Sequence, residues 1–235
     1  MSQNNLHRDE AATRAALLTV QSYDVELDLT DGAEAPGEGT FRTTTVVRFS
    51  CREPGAATHL DLTAPAVHEV VLNGRPVDAA FDGNRIAVDG LAAENELRVV
   101  ADGAYMRSGE GLHRFVDPVD GSVYLYTQFE TFDAHRMYAC FDQPDLKATF
   151  RLTVHAPGDW VVVSNGAAEQ RPAEGEPGTW VFAETPRMST YITALVAGPY
   201  ASVQEEHDGI PLGIYCRRTR WQDGRSACDE GSDAP

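Results

Sequence analysis

Residues 23–29 read YDVELDL, and the side chains along this stretch alternate between apolar or aromatic and acidic. In an extended chain successive side chains point to opposite faces, so one face would be apolar and the other charged. This period of two predicts a half-buried β-strand. Residues 41–49, FRTTTVVRF, repeat the period, with Phe41 and Phe49 on one side. The first part of the chain is therefore predicted to be built from strands.

The same pattern continues downstream and indicates the fold class. Ten further strand candidates are predicted, at residues 59–62, 67–72, 85–88, 96–100, 123–130, 149–155, 160–164, 179–182, 191–197 and 212–216. Asn-Gly or Asp-Gly dipeptides, which suit the positive φ of hairpin turns, begin at residues 73, 82, 89, 102, 120, 165 and 208. The strands do not alternate with helical segments, which argues against a doubly wound fold. The pattern predicts an all-β protein, either an antiparallel sandwich or a curved sheet.

The two ends of the chain differ from this central part. Residues 9–18 are rich in alanine and predict a helix capped by Asn4 or Asn5, so residues 1–20 are interpreted as a helical segment. After residue 217 the alternation stops, and the chain becomes polar, acidic and poor in aliphatic residues. We therefore expect a β domain over residues 21–217 and a disordered tail over residues 218–235.

Composition and charge exclude several classes of function. The 235 residues hold 19 Lys+Arg against 36 Asp+Glu, a formal net charge of −17. An acidic chain of this kind argues against binding to nucleic acid or to an anionic membrane surface. It contains no apolar run long enough to span a bilayer, and its first residues lack the pattern of a secretory signal. The four cysteines form no Cys-x-x-Cys pair, so reduced thiols and a cytoplasmic location are expected.

A polar pair near the middle of the chain is the first candidate for a site. Gln128 and Glu130 are two residues apart in a predicted strand, so their side chains share one face. A carboxamide and a carboxylate placed side by side suit a cationic or amine group. The alternative is that they form the solvated face of an ordinary antiparallel strand.

A search for metal-binding and nucleophilic motifs finds none that is complete. Residues 68–72, HEVVL, begin like the zinc motif His-Glu-x-x-His but carry Leu72 where the second histidine must stand. The segment also alternates like a strand, so we interpret the match as coincidental. No Gly-x-Ser-x-Gly elbow, phosphate loop or dinucleotide fingerprint occurs. Cys140 has no spaced histidine partner and is predicted to be a small buried residue. No catalytic residue and no metal ligand is therefore assigned.

Several longer motifs, taken together, resemble one family. They are GLHRF at residues 111–115, TQFE at 127–130, DAHR at 133–136, CFDQPDLKATF at 140–150, MSTY at 188–191 and AGPY at 197–200. In these motifs and their order the chain resembles the N-terminal domain of the aminopeptidase N family of zinc metallopeptidases. The resemblance extends over residues 5–217, which is most of the chain.

The resemblance implies a fold and a role. The fold is a large curved, mostly antiparallel β-sandwich with a short N-terminal helix, packed as a lid over a thermolysin-like catalytic domain. Glu130 would help to anchor the free α-amine of the substrate, and Gln128 would line the pocket for its first side chain. A carboxylate at that point selects a cationic amino terminus. The expected partners are peptide N-termini and a catalytic domain that is normally part of the same chain.

The sequence also departs from the family pattern. Neither His-Glu-x-x-His nor the family's Gly-x-Met-Glu-Asn segment occurs in it. Zinc is therefore expected in intact family members and not in this chain, which we interpret as truncated before the catalytic domain and inactive alone. Arg136, Asp142 and Lys147 are predicted to be structural, in a buried ion-pair network.

Two other functions are compatible with the residues. A stand-alone β-sandwich module would bind peptides or a protein through the face that covers the catalytic domain in the family, and that face should be apolar. A small glycoside hydrolase would use a carboxylate pair drawn from Glu130, Asp133, Asp142 and Asp145. In so acidic a chain these carboxylates are an unspecific signal.

Overall fold

The computed structural model describes residues 6–32 and 34–221, and within them strands dominate. One helix, α1, spans Arg8–Leu17. The strands are β1 (Leu18–Asp28), β2 (Thr40–Cys51), β3 (Thr58–Asp61), β4 (Ala66–Leu72), β5 (Arg75–Pro76), β6 (Arg85–Val88), β7 (Glu94–Ala104), β8 (Gly111–Val116), β9 (Val123–Gln128), β10 (Thr149–Ala156), β11 (Val161–Ser164), β12 (Ala168–Gln170), β13 (Gly178–Phe182), β14 (Leu195–Gly198), β15 (Tyr200–His207) and β16 (Ile210–Arg217). Short 3₁₀ turns occupy Ala134–Arg136, Thr190–Ile192 and Arg218–Arg220.

The strands form two main sheets and two hairpin-sized ones. The largest sheet has eight strands in the order β12-β13-β10-β1-β2-β7-β4-β5, and a second has four in the order β11-β14-β9-β8. All pairings in them are antiparallel except that of β1 with β10, which is parallel. The remaining pairs are β15-β16 and β3-β6. The predicted all-β, mostly antiparallel sandwich with a short N-terminal helix is confirmed.

The core lies between the sheets and follows the alternation seen in the sequence. Tyr23, Val25, Leu27 and Leu29 are all buried, as the period of two in residues 23–29 predicts. The Tyr23 ring stacks on that of Phe150 across the parallel pair, with ring centres 4.9 Å apart. Burial of this aromatic and aliphatic face is the main stabilising term of the sandwich.

At the two ends of the chain, the structure corrects one part of the sequence prediction and leaves another part untested. The helix is confirmed, but its N-cap is His7, whose side chain makes no capping bond, so the cap predicted at Asn4 or Asn5 is wrong. Strand β1 begins at Leu18, inside the segment predicted as helical. The predicted tail at 218–235 lies outside the described residues from position 222 onward; before that, the backbone N–H of Arg218 donates to the Tyr124 hydroxyl at 3.1 Å. No helix in the described ranges is long and apolar enough to cross a membrane.

Several elements differ from the prediction: strands β5, β8, β12 and β15 were not predicted, and the bounds of others differ. Strand β8 was not predicted, because its sequence GLHRFV lacks apolar alternation and its extended form depends on pairing with β9. The strand predicted at 123–130 ends at Gln128, where the backbone begins a turn. The strand predicted at 191–197 is divided between a 3₁₀ turn and β14.

A buried polar network joins the helix to the sandwich. Arg14, only 3% exposed, donates from Nη1 to Oδ2 of Asp61 at 2.8 Å and from Nε to Oε1 of Gln143 at 3.0 Å. The same Asp61 oxygen accepts the backbone N–H of Asp142 at 3.0 Å. The carboxylate of Asp142 is contacted by His135 Nδ1 at 2.7 Å and accepts the Thr190 hydroxyl at 2.6 Å. Charges this deeply buried are tolerated because nearly all of their polar atoms have partners.

This network differs in membership from the predicted one. Asp142 belongs to it as expected, but Lys147 is exposed and Arg136 pairs with other carboxylates. The prediction of a single network containing all three was therefore wrong for Arg136 and Lys147. Charge and position in the motif did not reveal which side chains would be buried.

The hairpin β15-β16 stands apart from the two main sheets. Val203 is opposite Ile214, and Leu212 and Ile210 follow on the same face, all of them between 37% and 60% exposed. At the base of the hairpin, the Tyr200 ring contacts Tyr124 and Arg217 pairs with Asp117 at 3.0 Å. The base of the hairpin is therefore fixed to the four-stranded sheet. The rest of the hairpin exposes an apolar ridge, formed by Val203, Ile210, Leu212 and Ile214, to solvent.

Replacing Asp61 tests the buried network. Asp61→Ala leaves the Arg14 guanidinium buried without its anion, so the free energy of unfolding should fall by about 3–5 kcal/mol in urea denaturation. The matched control is Asp24→Ala, which breaks the exposed Arg48–Asp24 pair and should cost less than about 1 kcal/mol. Equal losses in the two variants would contradict the role assigned to Asp61.

Candidate functional site

The pair Gln128 and Glu130 lies at the end of an edge-proximal strand, with both side chains exposed. Strand β9 ends at Gln128, the next residue Phe129 is buried, and Glu130 follows in the turn. Both polar side chains are exposed and flank a buried residue; because Glu130 lies beyond the strand, their sharing of one face stays a prediction. The Gln128 carboxamide oxygen accepts the Glu130 backbone N–H at 2.8 Å, which fixes the orientation of that carboxamide.

A compact turn carries Glu130 at its tip. The backbone N–H of Asp133 donates to the carbonyl of Phe129 at 3.1 Å, and Ala134–Arg136 then form one 3₁₀ turn. At the far end, His135 is buried against Asp142. The peptide bond between Glu130 and Thr131 is cis. Both ends of the turn are thus held by buried residues, and Glu130 projects between them.

Strand β8 supports this turn from the side. Its first residue, Gly111, is the register partner of Gln128. Gly111 has φ of +62°, and a Cβ atom built on it would lie 3.0 Å from both Cβ of Arg136 and Cγ of Met106. Two constraints favour glycine at this position: its backbone is in the left-handed region, and the side chains of Arg136 and Met106 occupy the space that a Cβ atom would need.

Arg136 organises the charges around the turn. Its Nε donates to Oδ1 of Asp133 at 2.5 Å, and its Nη2 lies 3.7 Å from Oε2 of Glu110. Within residues 6–32 and 34–221, no side chain pairs with the carboxylate of Glu130. One carboxylate on this edge therefore remains free to meet a ligand, while Asp133 is already paired.

An aromatic neighbour of the pair was missed by the sequence reasoning. Tyr126 lies two residues before Gln128, on the same face, and is 40% exposed. Its ring packs on that of His113 in β8, with centres 4.7 Å apart. The period of two that linked Gln128 and Glu130 extends back to Tyr126 and was the available signal.

The remaining acidic candidates differ from Glu130 in their exposure or in their partners. Asp142 is fully buried and holds structural partners, whereas Asp145 is exposed in a loop beyond it. Asp133 is paired with Arg136. Glycoside hydrolysis needs two free carboxyl groups facing one sugar; Asp142 and Asp133 are already engaged and Asp145 lies in a separate loop, so this arrangement does not favour that reaction.

The described residues do not fit a zinc site. No three His, Cys, Asp or Glu side chains within residues 6–32 and 34–221 come together as metal ligands. His68 lies on strand β4 and contacts Asp102 at 2.7 Å, while Leu72 is buried, which agrees with a coincidental half-motif. Cys140 is fully buried, and burial raises the pKa of its thiol well above the usual range, so it is a poor nucleophile.

The fold and this edge define an all-β domain that presents one unpaired carboxylate beside a fixed carboxamide. Residues 20–192 match the family described as Peptidase M1 N-terminal domain. The chain is 54% identical over 224 residues to an aminopeptidase N from Streptomyces lividans, covering 92% of this chain and 25% of the relative. It is 30% identical over 191 residues to a probable aminopeptidase 1 from Sulfurisphaera tokodaii, covering 81% of this chain and 23% of the relative.

These similarities establish the family. The chain belongs to the peptidase M1 family and corresponds to its N-terminal domain. It spans about a quarter of the length of the curated relatives that it matches.

Substituting Gly111 tests the packing beneath the turn. Gly111→Ala should destabilise the chain by about 1–2 kcal/mol through its left-handed backbone, and further through contact with Arg136 and Met106. Gly109→Ala is the matched control, since Gly109 also has a positive φ, +92°, but open space around it. Urea denaturation should show the larger loss for Gly111→Ala; equal losses would mean that the side-chain packing at Gly111 is unimportant.

Proposed function

We propose that residues 21–217 act as the lid domain of a zinc-dependent aminopeptidase that releases N-terminal amino acids from peptides. In this proposal Glu130 binds the free α-ammonium group of the substrate and Gln128 lines the pocket for its first side chain. Family membership and the similarity to enzymes named aminopeptidase support the reaction class. The assignment to these two residues is supported by their geometry.

The observation that carries the proposal is the unpaired, exposed carboxylate of Glu130. Carboxylates on a protein of net charge −17 are common, but the neighbouring Asp133 already has a cationic partner and Glu130 has none among the described residues. A carboxylate without a partner is suited to a charge-assisted bond with an ammonium group. Because it is held in a turn directly after strand β9, it would also fix how far the scissile bond lies from the amino terminus.

The second part of the proposal concerns what the chain lacks. The described residues provide no zinc ligand set, and the sequence contains no His-Glu-x-x-His. We therefore propose that hydrolysis requires a catalytic domain, normally part of the same chain, and that this chain alone does not turn over peptides. A stand-alone binding module is the second candidate, favoured by the exposed ridge of Val203, Ile210, Leu212 and Ile214.

Glu130 is tested in an active context. In a chimera, residues 6–217 of this chain replace the matching N-terminal part of the Streptomyces lividans aminopeptidase N. Glu130→Gln should lower kcat/KM for alanyl-p-nitroanilide by about 10- to 150-fold, since a hydrogen bond to a charged group contributes about 1.5–3 kcal/mol. The loss should appear mainly in KM, because the ammonium group is bound in both the ground state and the transition state.

The matched control for this measurement is Glu174→Gln. Glu174 is an exposed acid remote in sequence from the turn, and its neutralisation should leave KM unchanged. If Glu130→Gln behaved like Glu174→Gln, the anchoring role would be wrong.

The isolated 235-residue chain tests the second part. Purified chain supplied with zinc should show no hydrolysis of leucyl- or alanyl-p-nitroanilide above buffer. Chelator-sensitive turnover would refute the proposed dependence on a catalytic domain. In the same samples, calorimetric binding of peptides without turnover, abolished by a charged substitution such as Leu212→Glu, would favour the stand-alone module.

A further inference from the structure

The structure singles out Arg136 as a residue whose contacts converge on the turn carrying Glu130. Its guanidinium bonds Asp133 within the turn and approaches Glu110 in the residue before β8. Its aliphatic stem fills the space over Gly111, where a Cβ would lie only 3.0 Å from Cβ of Arg136. Gly111 in turn pairs with Gln128. One side chain thus links the start of β8 to the turn that follows β9.

We propose that Arg136 is the positioning residue of the amine anchor, holding the turn of residues 129–136 against β8 so that Glu130 keeps its place. This inference rests on the proposed function of Glu130. It assigns Arg136 no contact with substrate, because its guanidinium is already engaged by two carboxylates. Its action is through the geometry of the turn.

The charge distribution gives Arg136 a second effect on the same site. Glu110, Glu130 and Asp133 place three carboxylates around this edge. Because Asp133 is paired with Arg136, its carboxylate does not compete with Glu130 for an ammonium group. Without Arg136, the ammonium group could bind at Asp133, three residues further along the turn. Arg136 therefore leaves Glu130 as the carboxylate of this turn that is available to bind the ammonium group of an amino terminus.

The partial exposure of Arg136 separates positioning from folding. Its side chain is 23% exposed and that of Asp133 21%, in contrast to the fully buried Arg14–Asp61 pair. An ion pair that solvent can reach contributes less to overall stability than a fully buried pair, whose loss leaves an uncompensated buried charge. Removal of Arg136 should therefore loosen the turn while leaving the domain folded.

The first test uses the 235-residue chain itself. The backbone N–H groups at positions 133 and 136 donate to the carbonyls of Phe129 and Asp133. In Arg136→Ala, their protection against hydrogen exchange, relative to the intrinsic rate of each residue type, should fall at least about tenfold. The matched control is Arg107→Ala, which removes the same charge from an exposed position in the neighbouring loop and should leave these amides unchanged. Unchanged exchange in Arg136→Ala would overturn the proposal.

The second test uses the aminopeptidase chimera. Arg136→Ala should raise KM for alanyl-p-nitroanilide about fivefold or more with kcat within about twofold, and Arg136→Lys should recover part of that loss. A loss of kcat with unchanged KM, or no recovery by lysine, would indicate a merely structural role and overturn the proposal.

The outcome also distinguishes this inference from the function on which it rests. If Glu130→Gln raises KM but Arg136→Ala does not, Glu130 is the anchor and Arg136 does not position it. If Glu130→Gln leaves KM unchanged, the proposed function itself fails and the role of Arg136 fails with it, whatever the exchange rates show about the turn.

Discussion

The carboxylate of Asp61 is the contact on which the arrangement of the site depends. It accepts bonds from Arg14 on the helix and from the backbone of Asp142, while the Asp61 backbone exchanges two hydrogen bonds with Cys140 at 2.8 and 3.1 Å. A carboxylate that is only 2% exposed is stable in such a place only if these donors stay with it. The helix, strand β3 and the segment at 140–142 are consequently fixed relative to one another.

This constraint is passed on to the exposed edge. Asp142, held by Asp61, in turn accepts the backbone N–H of His135 at 3.1 Å and contacts its ring. His135 therefore marks the rigid end of the turn, and buried Phe129 marks the other. A side chain placed between two buried anchors is pre-organised, so a ligand bound by Glu130, as proposed, would cost less entropy. The interior of this domain thus acts on its surface through a short, identifiable series of contacts.

The sequence predicted features that depend on neighbouring residues better than contacts between residues far apart in the chain. Alternation predicted β1 and β2, because they depend on the period of an extended chain, but it also placed Glu130 in a strand that ends at Gln128. Strand β8 and the glycine at its start could not be predicted, since their conformation is imposed by β9 and by the packing of Arg136. The contact between Asp142 and Asp61 could not be predicted either, because the two residues are 81 positions apart. The periodicity of a sequence does not indicate which distant residues will be in contact. The proposed role of Glu130 rests on the family resemblance, whereas the absence of a partner for its carboxylate among the described residues is visible only in the structure.

The parallel pairing of β1 with β10 has a consequence for how the protein is made. The contact between Glu26 and His155 across this pair closes a loop of 129 residues, so β1 leaves the ribosome long before its neighbour exists. Until β10 emerges, the edge of β1 that pairs with it is open and the Tyr23 ring lacks its stacking partner Phe150. Loops of this length close slowly, and open strand edges in the meantime favour association between nascent chains. Any product ending before residue 156 lacks the complete pairing strand, and we expect it to be removed by proteolysis rather than to accumulate as a smaller folded unit.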